Sequence, residues 1–597
     1  MALRPSRSLF RRRAFGPEWT GLYLVVPFLL VFAIGIVAPL LYAMYLSLYR
    51  DQMVGGNIFV GLDNYFAALV DPLFYTGLGH VALYVVIQVP IMVVLALVAA
   101  LALDSRRMRG KSLFRIALFL PFAVPSVVAA LMWGFLYGND FGLVGQIRDF
   151  TGIDIPNLLS SDWILASLGN ITTWGFTGYN MLIFYAALKA IPEEIYEAAD
   201  LDGAGEIKMA LHIKLPQLGP GDRARHRLRD HQQLPAVQRA ERRVDARPHG
   251  DHDLLHPQHV RLQPLGLRPA VQLLGRPGRA ARPDHRDRRP RRAPVRPLEV
   301  ERPMTQLATG RRRSMPAHRL SVPTILVMTA LLLYCVLPFW WLIVSSTKSN
   351  GDLFSTFGLW FGRAFSLFDN LGQLFTHQNG IYLEWLGNTV LYAVVGGVGA
   401  TILATLGGYG LASFTFPGSR KILGIVIVAM AVPATALAIP MFLLFSSLGI
   451  VNTRWIIVLL SLASPLGLYL MQVFAAQAVP RELLEAARLD GASETRIFVT
   501  IVSKLLAPGF VTVLLFNVVA IWNNYFLPLI MLSDPRLYPL TVGLNQWNSQ
   551  ASGSSGATEA LYNLVVTGSL VGILPLIVVF VVLQRYWVAG LAAGSSR

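Results

Sequence analysis

Apolar residues along this chain fall in long unbroken runs, not in the alternation of a strand or the single-face spacing of a surface helix. Crossing about 30 Å of hydrocarbon takes roughly 20 such residues. Four runs of that length lie near residues 20–48, 79–103, 113–137 and 163–190. Six more lie near 321–346, 386–415, 422–446, 454–478, 509–532 and 561–584. Between the two groups, residues 221–303 carry no such run and are rich in Arg, His and Pro. The pattern predicts an all-α, polytopic transmembrane helical bundle in two domains, residues 1–220 with about four spans and residues 304–597 with six. Residues 221–303 form a basic, disordered junction in this reading. Glycine and proline inside the runs ("GGVGATILATLGGYGLAS", Pro433, Pro440, Pro575) are tolerated in lipid and mark close helix contacts or bends.

Charge then assigns sides. Arg11, Arg12 and Arg13 precede the first run, Arg106, Arg107, Arg109, Lys111 and Arg115 separate the second from the third, and "GRRRSMPAHR" precedes the fifth. Arg420 and Lys421 lie between the sixth and seventh. The excess of Lys and Arg places these segments, and with them the N-terminus, in the cytoplasm. "SDPRLYPLTVGLNQWNSQASGSSGATEALYN" then faces outward. With 54% hydrophobic and 14% charged residues and a mean hydropathy of +0.51, the chain belongs in a bilayer. A formal net charge of +17 would otherwise suggest a nucleic-acid partner. Residues 221–303, however, hold 20 Arg, no Lys and 10 acids, so about +10 of it sits in the junction. The lone cysteine, Cys335, excludes an intrachain disulfide and argues against a Cys-based metal site, and no metal is expected. The basic N-terminus resembles a leader, but its apolar run is too long and lacks a small-residue cleavage site, which predicts a retained anchor.

Two polar segments repeat each other with a period near 288 residues: "EEIYEAADLDGAGEIKMALHIKLPQLGP" at 193–220 and "RELLEAARLDGASETRIFVTIVSKLLAPG" at 481–509. So long a period means duplication of a whole domain. Each copy predicts a short helix with small residues on one side, an abrupt turn at Gly203 or Gly491, and a second amphipathic helix ending near a proline. A surface hairpin without a partner explains one copy; two near-identical copies, each after the fourth run of its group, favour a docking surface.

These segments resemble the EAA loop of permease subunits of binding-protein-dependent ABC importers. The resemblance implies that Glu197, Ala198, Ala199, Asp202, Gly203 and Pro216, and Glu485, Ala486, Ala487, Asp490, Gly491 and Pro508, form two coupling surfaces for ATPase subunits. The second copy has Lys504 where the first has Pro216, and recovers proline only at Pro508. "FVGLDNYFAAL" at 59–69 is similar to the first subunit type of the carbohydrate-uptake, maltose-like branch. "EWLGNTVLYAV", "WNNYFLPLI" and "LQRYWVAGLAAGS" are similar to the second. The resemblance further implies an external solute-binding protein as partner, residence in the bacterial plasma membrane, and ATP and Mg held by the partner ATPase, not by this chain. No Gly-x-x-x-x-Gly-Lys-Ser/Thr loop occurs, so no catalytic residue is assigned and ATP hydrolysis is expected elsewhere. The runs also lack the Asp, Glu and His chains of a proton-driven carrier, which weighs against a secondary transporter.

Trp174, Tyr179, Asn180, Asn517, Trp522, Asn523, Asn524 and Tyr525 fall in or beside the runs. Aromatic faces with amide partners suit a polyhydroxylated solute; the alternative is interfacial aromatics and interhelix hydrogen bonding.

The junction has a second reading. Its arginine-rich, lysine-free composition, with seven of the chain's 11 His, is what a GC-rich gene yields out of frame. With GC-compatible synonymous codons read one base later, Gly221 to Arg242 becomes VIALATVSVIINSFQLFNEPNV and 276–296 becomes ALAALLALITVIAALVALLFV, two apolar spans. Met304-Thr305 must be ATG-ACN, which one base later contains the stop TGA. Two permease genes fused by a frameshift near codon 220, the second starting at Met304, is therefore the expectation. It leaves open whether the fused chain functions. A basic linker binding RNA or anionic lipid is the rival; its lack of aromatics offers no stacking platform, so no nucleic-acid partner is expected.

Overall fold

The computed structural model describes residues 17–52, 56–105, 108, 110–139, 142–189, 191–218, 322–552 and 561–593. The junction at 221–303 and Met304 lie outside the described residues. In the N-terminal half the main helices are α1 (Trp19–Leu46), α2 (Pro72–Asp104), α3 (Lys111–Ala123), α4 (Ser126–Tyr137), α5 (Ile164–Lys189), α6 (Glu193–Leu201) and α7 (206–218). In the C-terminal half they are α8 (Thr324–Ser346), α9 (Leu367–Ser413), α10 (Ser419–Ala429), α11 (Ala434–Ser447) and α12 (Arg454–Ala478). These are followed by α13 (Arg481–Leu489), α14 (Glu494–Trp522), α15 (Leu540–Ser552) and α16 (Leu561–Ala593).

Among the described residues seven helices are long and apolar enough to cross a membrane, nine if each bent pair counts as one. Two of the expected spans are sharply bent. Residues 113–137 divide into α3 and α4 at a bend of 100°, and 422–446 divide into α10 and α11 at 92°. Proline explains both: Pro125 and Pro433 lack the donor that would continue the ladder and push the preceding residue out of helical conformation. The expected span at 163–190 forms the 26-residue α5, about 39 Å long, but it is too polar to be among the nine. It is more polar than the others, because Asn170, Thr172 and Thr173 meet other helices and not lipid. Tyr84 donates to Thr172 Oγ1 (2.7 Å) and Asn170 Nδ2 to the Tyr137 hydroxyl (2.6 Å). The expected span at 509–532 starts earlier: α14 runs unbroken from Glu494 through Pro508 and stops at Trp522. Residues Gln378, Asn379 and Gly380, all with positive φ, interrupt α9 before its apolar part.

One departure from an all-α chain is a two-stranded antiparallel hairpin, β1 (Tyr49–Gln52) and β2 (Gly56–Phe59), between α1 and α2. Asn64 holds it to the end of α1 by donating to the carbonyls of Ser47 (2.9 Å) and Tyr49 (2.8 Å).

The described parts of both halves form one compact unit, and they interleave within it. α1 packs on α9, burying Val25 with Tyr409, Phe414 and Phe416 of the other half. α8 returns the exchange, burying Met328, Cys335 and Phe339 among Trp133, Trp174 and Met181. Close approach is what the glycines permit: a Cβ on Gly410 would stand 2.8 Å from Val25 Cγ2 and 2.9 Å from the Gly21 carbonyl.

Candidate functional site

The repeated segments fold alike. α6 and α13 each end where Gly203 (φ +72°) or Gly491 (φ +79°) turns left-handed. In the first copy the Gly203 amide donates to Asp200 (3.1 Å) and the Ala204 amide to Ala199 (2.9 Å); in the second, Gly491 donates to Arg488 (3.0 Å) and Ala492 to Ala487 (3.0 Å). This crossed pair of bonds satisfies the last carbonyls of the helix and needs a left-handed residue, which glycine supplies without a steric penalty. Both second helices then contain a π turn at the same position, Ala210–Lys214 and Phe498–Val502.

Exposure follows the repeat as well. Glu197, Ala198, Asp202 and Gly203 are exposed, as are Glu485, Ala486, Asp490 and Gly491, while Ala199 and Ala487 turn into the protein. A Cβ on Gly203 or Gly491 would meet nothing within 4 Å among the described residues. Leu201 and Leu489, not singled out from sequence, are each 89% exposed at the tip of their helix. The helical period carried the signal: two residues beyond buried Ala199, Leu201 points to the opposite face. Pro216 lies in the last described turn of α7. Pro508 lies inside α14 and does not end its helix as expected.

The anchoring of the two loops differs. In the first, α7 is tied to the end of α2, with Lys214 Nζ 2.6 Å from Asp104 Oδ2 and Ser105 Oγ donating to Glu206 (2.8 Å). Lys189, at the end of α5, meets the same carboxylate at 3.0 Å. In the second, Arg488 pairs with Glu494 (2.6 Å) and lies 5.7 Å over the ring of Phe414, at the end of α9. The Glu494 hydrogen bond raises the Arg488 guanidinium above its ordinary pKa.

Along α4 and beside the segment that precedes α5 lies a cavity of about 930 Å³ lined by residues of both halves. Phe135, Trp341, Phe354 and Tyr562 supply aromatic surface, with Phe135 stacked on Trp341 at 5.4 Å and Phe354 edge-on to Tyr562 at 5.2 Å. Asn139, Asn157, Asn545 and Asn548 supply amides. Of the eight residues singled out from sequence for a solute path, Tyr525 lines this cavity, its hydroxyl accepting from Asn545 Nδ2 at 2.8 Å. Tyr179 and Asn523 meet instead at the α3–α4 break: Tyr179 stacks on Phe122 at 4.9 Å, and Asn523 Nδ2 is 3.5 Å from the Phe122 carbonyl. Ser126 and Val127, just past that break, line the cavity, which places the aromatic cluster next to it along the chain. The others sit in packing. Trp174 is fully buried and donates to the Cys335 carbonyl (3.1 Å), Trp522 is buried, and Asn180 donates back to its own helix at Phe176 (3.0 Å). Asn517 joins three helices, donating to Thr401 (3.0 Å) and accepting from Ser464 (2.8 Å), and the Asn524 carbonyl accepts from Thr541 (2.7 Å).

The family described as binding-protein-dependent transport system inner membrane component matches residues 92–221 and 400–592. The arabinooligosaccharides transport system permease protein AraQ of Bacillus subtilis is 29% identical over 275 residues, covering 46% of this chain and 94% of that protein. The melibiose/raffinose/stachyose import permease protein MelC of the same organism is 30% identical over 291 residues, covering 47% of this chain and all of that protein. Among solved structures, a bacterial ABC transporter involved in import of the acidic polysaccharide alginate contains a chain 23% identical, with a TM-score of 0.40 over 45% of this chain and 95% of that one.

Proposed function

The chain belongs to the inner membrane components of binding-protein-dependent transport systems, and we propose that it supplies both membrane-spanning halves of an ATP-driven importer for a carbohydrate. The observation that carries this is the pair of matched turns, each presenting an exposed leucine beside an exposed glycine. Two copies suit two ATPase subunits, which would bind ATP and Mg. The loops then lie in the cytoplasm, with the N-terminus on the same side, and the cavity faces an external binding protein.

The geometry supports a direct transmission path. α14 is one helix from the second loop to Trp522, 29 residues and about 43 Å, and Asn523 follows it at the Phe122 carbonyl, beside the α3–α4 break. Displacement of the loop by a closing ATPase pair would therefore reach the α3–α4 break, whose Ser126 and Val127 line the cavity, as alternating access requires.

Reconstitution with the neighbouring ATPase and binding protein tests the reading. Uptake should need ATP, and Gly203→Trp or Gly491→Trp should leave ATP hydrolysis while abolishing uptake. Uptake without an ATPase would establish a secondary transporter instead.

We further infer that the chain joins two permease reading frames at a frameshift. Support comes from the family match, which stops at residue 221 in the first copy but runs to 592 in the second. It also comes from burial: 22% of the apolar window of α2 is buried, against 50% for α9, as expected if α2 lacks helices that α14 and α16 provide in the other half. One correct, uninterrupted frame in the DNA across codon 220 would refute it.

A further inference from the structure

Residues 357–368, "FGLWFGRAFSLF", lead from the loop after α8 into the first turn of α9 and expose five aromatic side chains: Trp360 at 64%, Phe368 at 75%, and Phe357, Phe361 and Phe365. An aromatic patch of this kind marks a contact with another protein or with a membrane. The stretch folds back along α8. Trp340 Nε1 donates to the Leu359 carbonyl (2.9 Å), and Trp340 lies about 9 Å short of Ser346, where α8 ends. Leu333, Val336, Trp340 and Ile343, all exposed, share one face of α8 at three- and four-residue spacing. Phe361 extends that face, edge-on to Trp340 at 6.1 Å and to Trp360 at 5.9 Å. Residues 357–366 are neither helix nor strand, yet side chains of the protein tie their backbone down. The buried Lys348 donates through Nζ to the Phe357 carbonyl (2.8 Å), and Asp352 Oδ2 accepts from the Arg363 amide (3.1 Å). From the N-terminal half, Gln146 in the short helix Leu143–Thr151 donates to the Thr356 carbonyl (3.3 Å) and accepts from the Gly358 amide (2.9 Å).

We propose that residues 357–368 are an interfacial anchor, seated among the lipid headgroups of the leaflet at the C-terminal end of α8, with lipid as the occupant of the aromatic patch. The importer reading above names that leaflet the outer one; the seating in lipid stands apart from it. Three observations choose lipid over a protein partner. The patch continues the exposed stripe of α8, a face that a spanning helix turns to lipid, and Trp and Phe rings suit the membrane–water boundary. Irregular backbone enters a membrane only where its polar groups find partners inside the protein, and Trp340, Lys348, Gln146 and Asp352 are those partners. The one charged residue in the stretch is Arg363, exposed and in no ion pair among the described residues, which is the sign that a phospholipid phosphate receives. Leu353, Phe354 and Gly358 of the same loop line the cavity, so the anchor fixes one of its walls.

The test places a nitroxide label at Phe361→Cys, Phe365→Cys or Phe368→Cys, each with Cys335→Ala, in the full chain in phosphatidylcholine nanodiscs. Collisions with oxygen, which concentrates in lipid, are compared with those of nickel ethylenediaminediacetate, which stays in water. Leu333→Cys on the exposed face of α8 is the lipid reference, and Asp154→Cys, exposed ahead of α5, is the water reference. All three labels should shift from the Asp154 value towards the Leu333 value, with most nickel collisions lost. Values equal to that at Asp154 overturn the anchor. So do labels that read water in the chain alone and lose nickel collisions only when purified binding protein is added, which would make the patch a protein dock. Sidedness is read separately: in intact cells an impermeant maleimide should modify Asp154→Cys and spare Glu194→Cys. The reverse pattern removes the importer topology and moves the anchor to the inner leaflet, while the depth reading keeps the anchor itself.

Discussion

At the scale of single residues, glycine has two distinct tasks here. Gly203 and Gly491 are required by backbone conformation, since nothing crowds their missing side chains. Gly203→Ala should cost about 1–2 kcal/mol of local helix-end stability and no more, visible as faster amide exchange across 199–204 with an unchanged global melting temperature. Gly410 is required by space, so Gly410→Leu should destabilise the whole bundle by about 1–3 kcal/mol, seen as a lowered melting temperature in detergent. If the exposed leucines dock the proposed ATPase, Leu201→Glu with Leu489→Glu should leave the fold intact and raise the dissociation constant for the ATPase at least about tenfold, measured by titration in nanodiscs. Sequence identified the turn glycines by repetition. It could not separate Leu201 from a core leucine without the helical face, and it could not distinguish Trp174, a packing residue, from Tyr525, a cavity residue.

At the scale of elements, the apolar runs located the spans, but proline decided their continuity case by case. Pro125 and Pro433 sit at sharp bends, whereas Pro508 is carried within a continuous helix. Local sequence does not separate these outcomes, because the freed backbone groups can be satisfied by neighbouring helices in one place and left to break in another. The tie between α2 and α7 belongs to this scale too. Asp104→Asn removes the partner of the largely buried Lys214 and should destabilise by about 3–5 kcal/mol, detected by thermal unfolding. Asp104→Leu combined with Lys214→Met should recover most of that loss, since the apolar pair carries no desolvation penalty and the half-exposed Lys189, which also loses Asp104, can turn to water. A double variant no more stable than the single one would show that the pair is not what holds α7.

At the scale of the whole molecule, the exchange of α1 and α8 makes the halves inseparable in a way no single domain reveals. A chain cut once at a protease site inserted within 221–303 should therefore remain one complex in mild detergent, both fragments co-eluting on size exclusion. Separation into two species would mean that the crossed packing of Val25 with Phe414, and of Cys335 with Trp174, is too weak to hold them.

Sequence alone determined that the chain is a helical membrane protein, that its Glu-Ala-Ala segment occurs twice, and that its junction breaks the pattern. These are properties of period, length and repetition, and they survive in one dimension. Tertiary structure decided which helices exchange, where the bends fall, and that a cavity lies between Phe135 and Tyr562 of opposite halves, with no charged side chain among its described lining. Those depend on contacts between residues hundreds of positions apart, which burial of apolar surface selects only once all the helices are packed together.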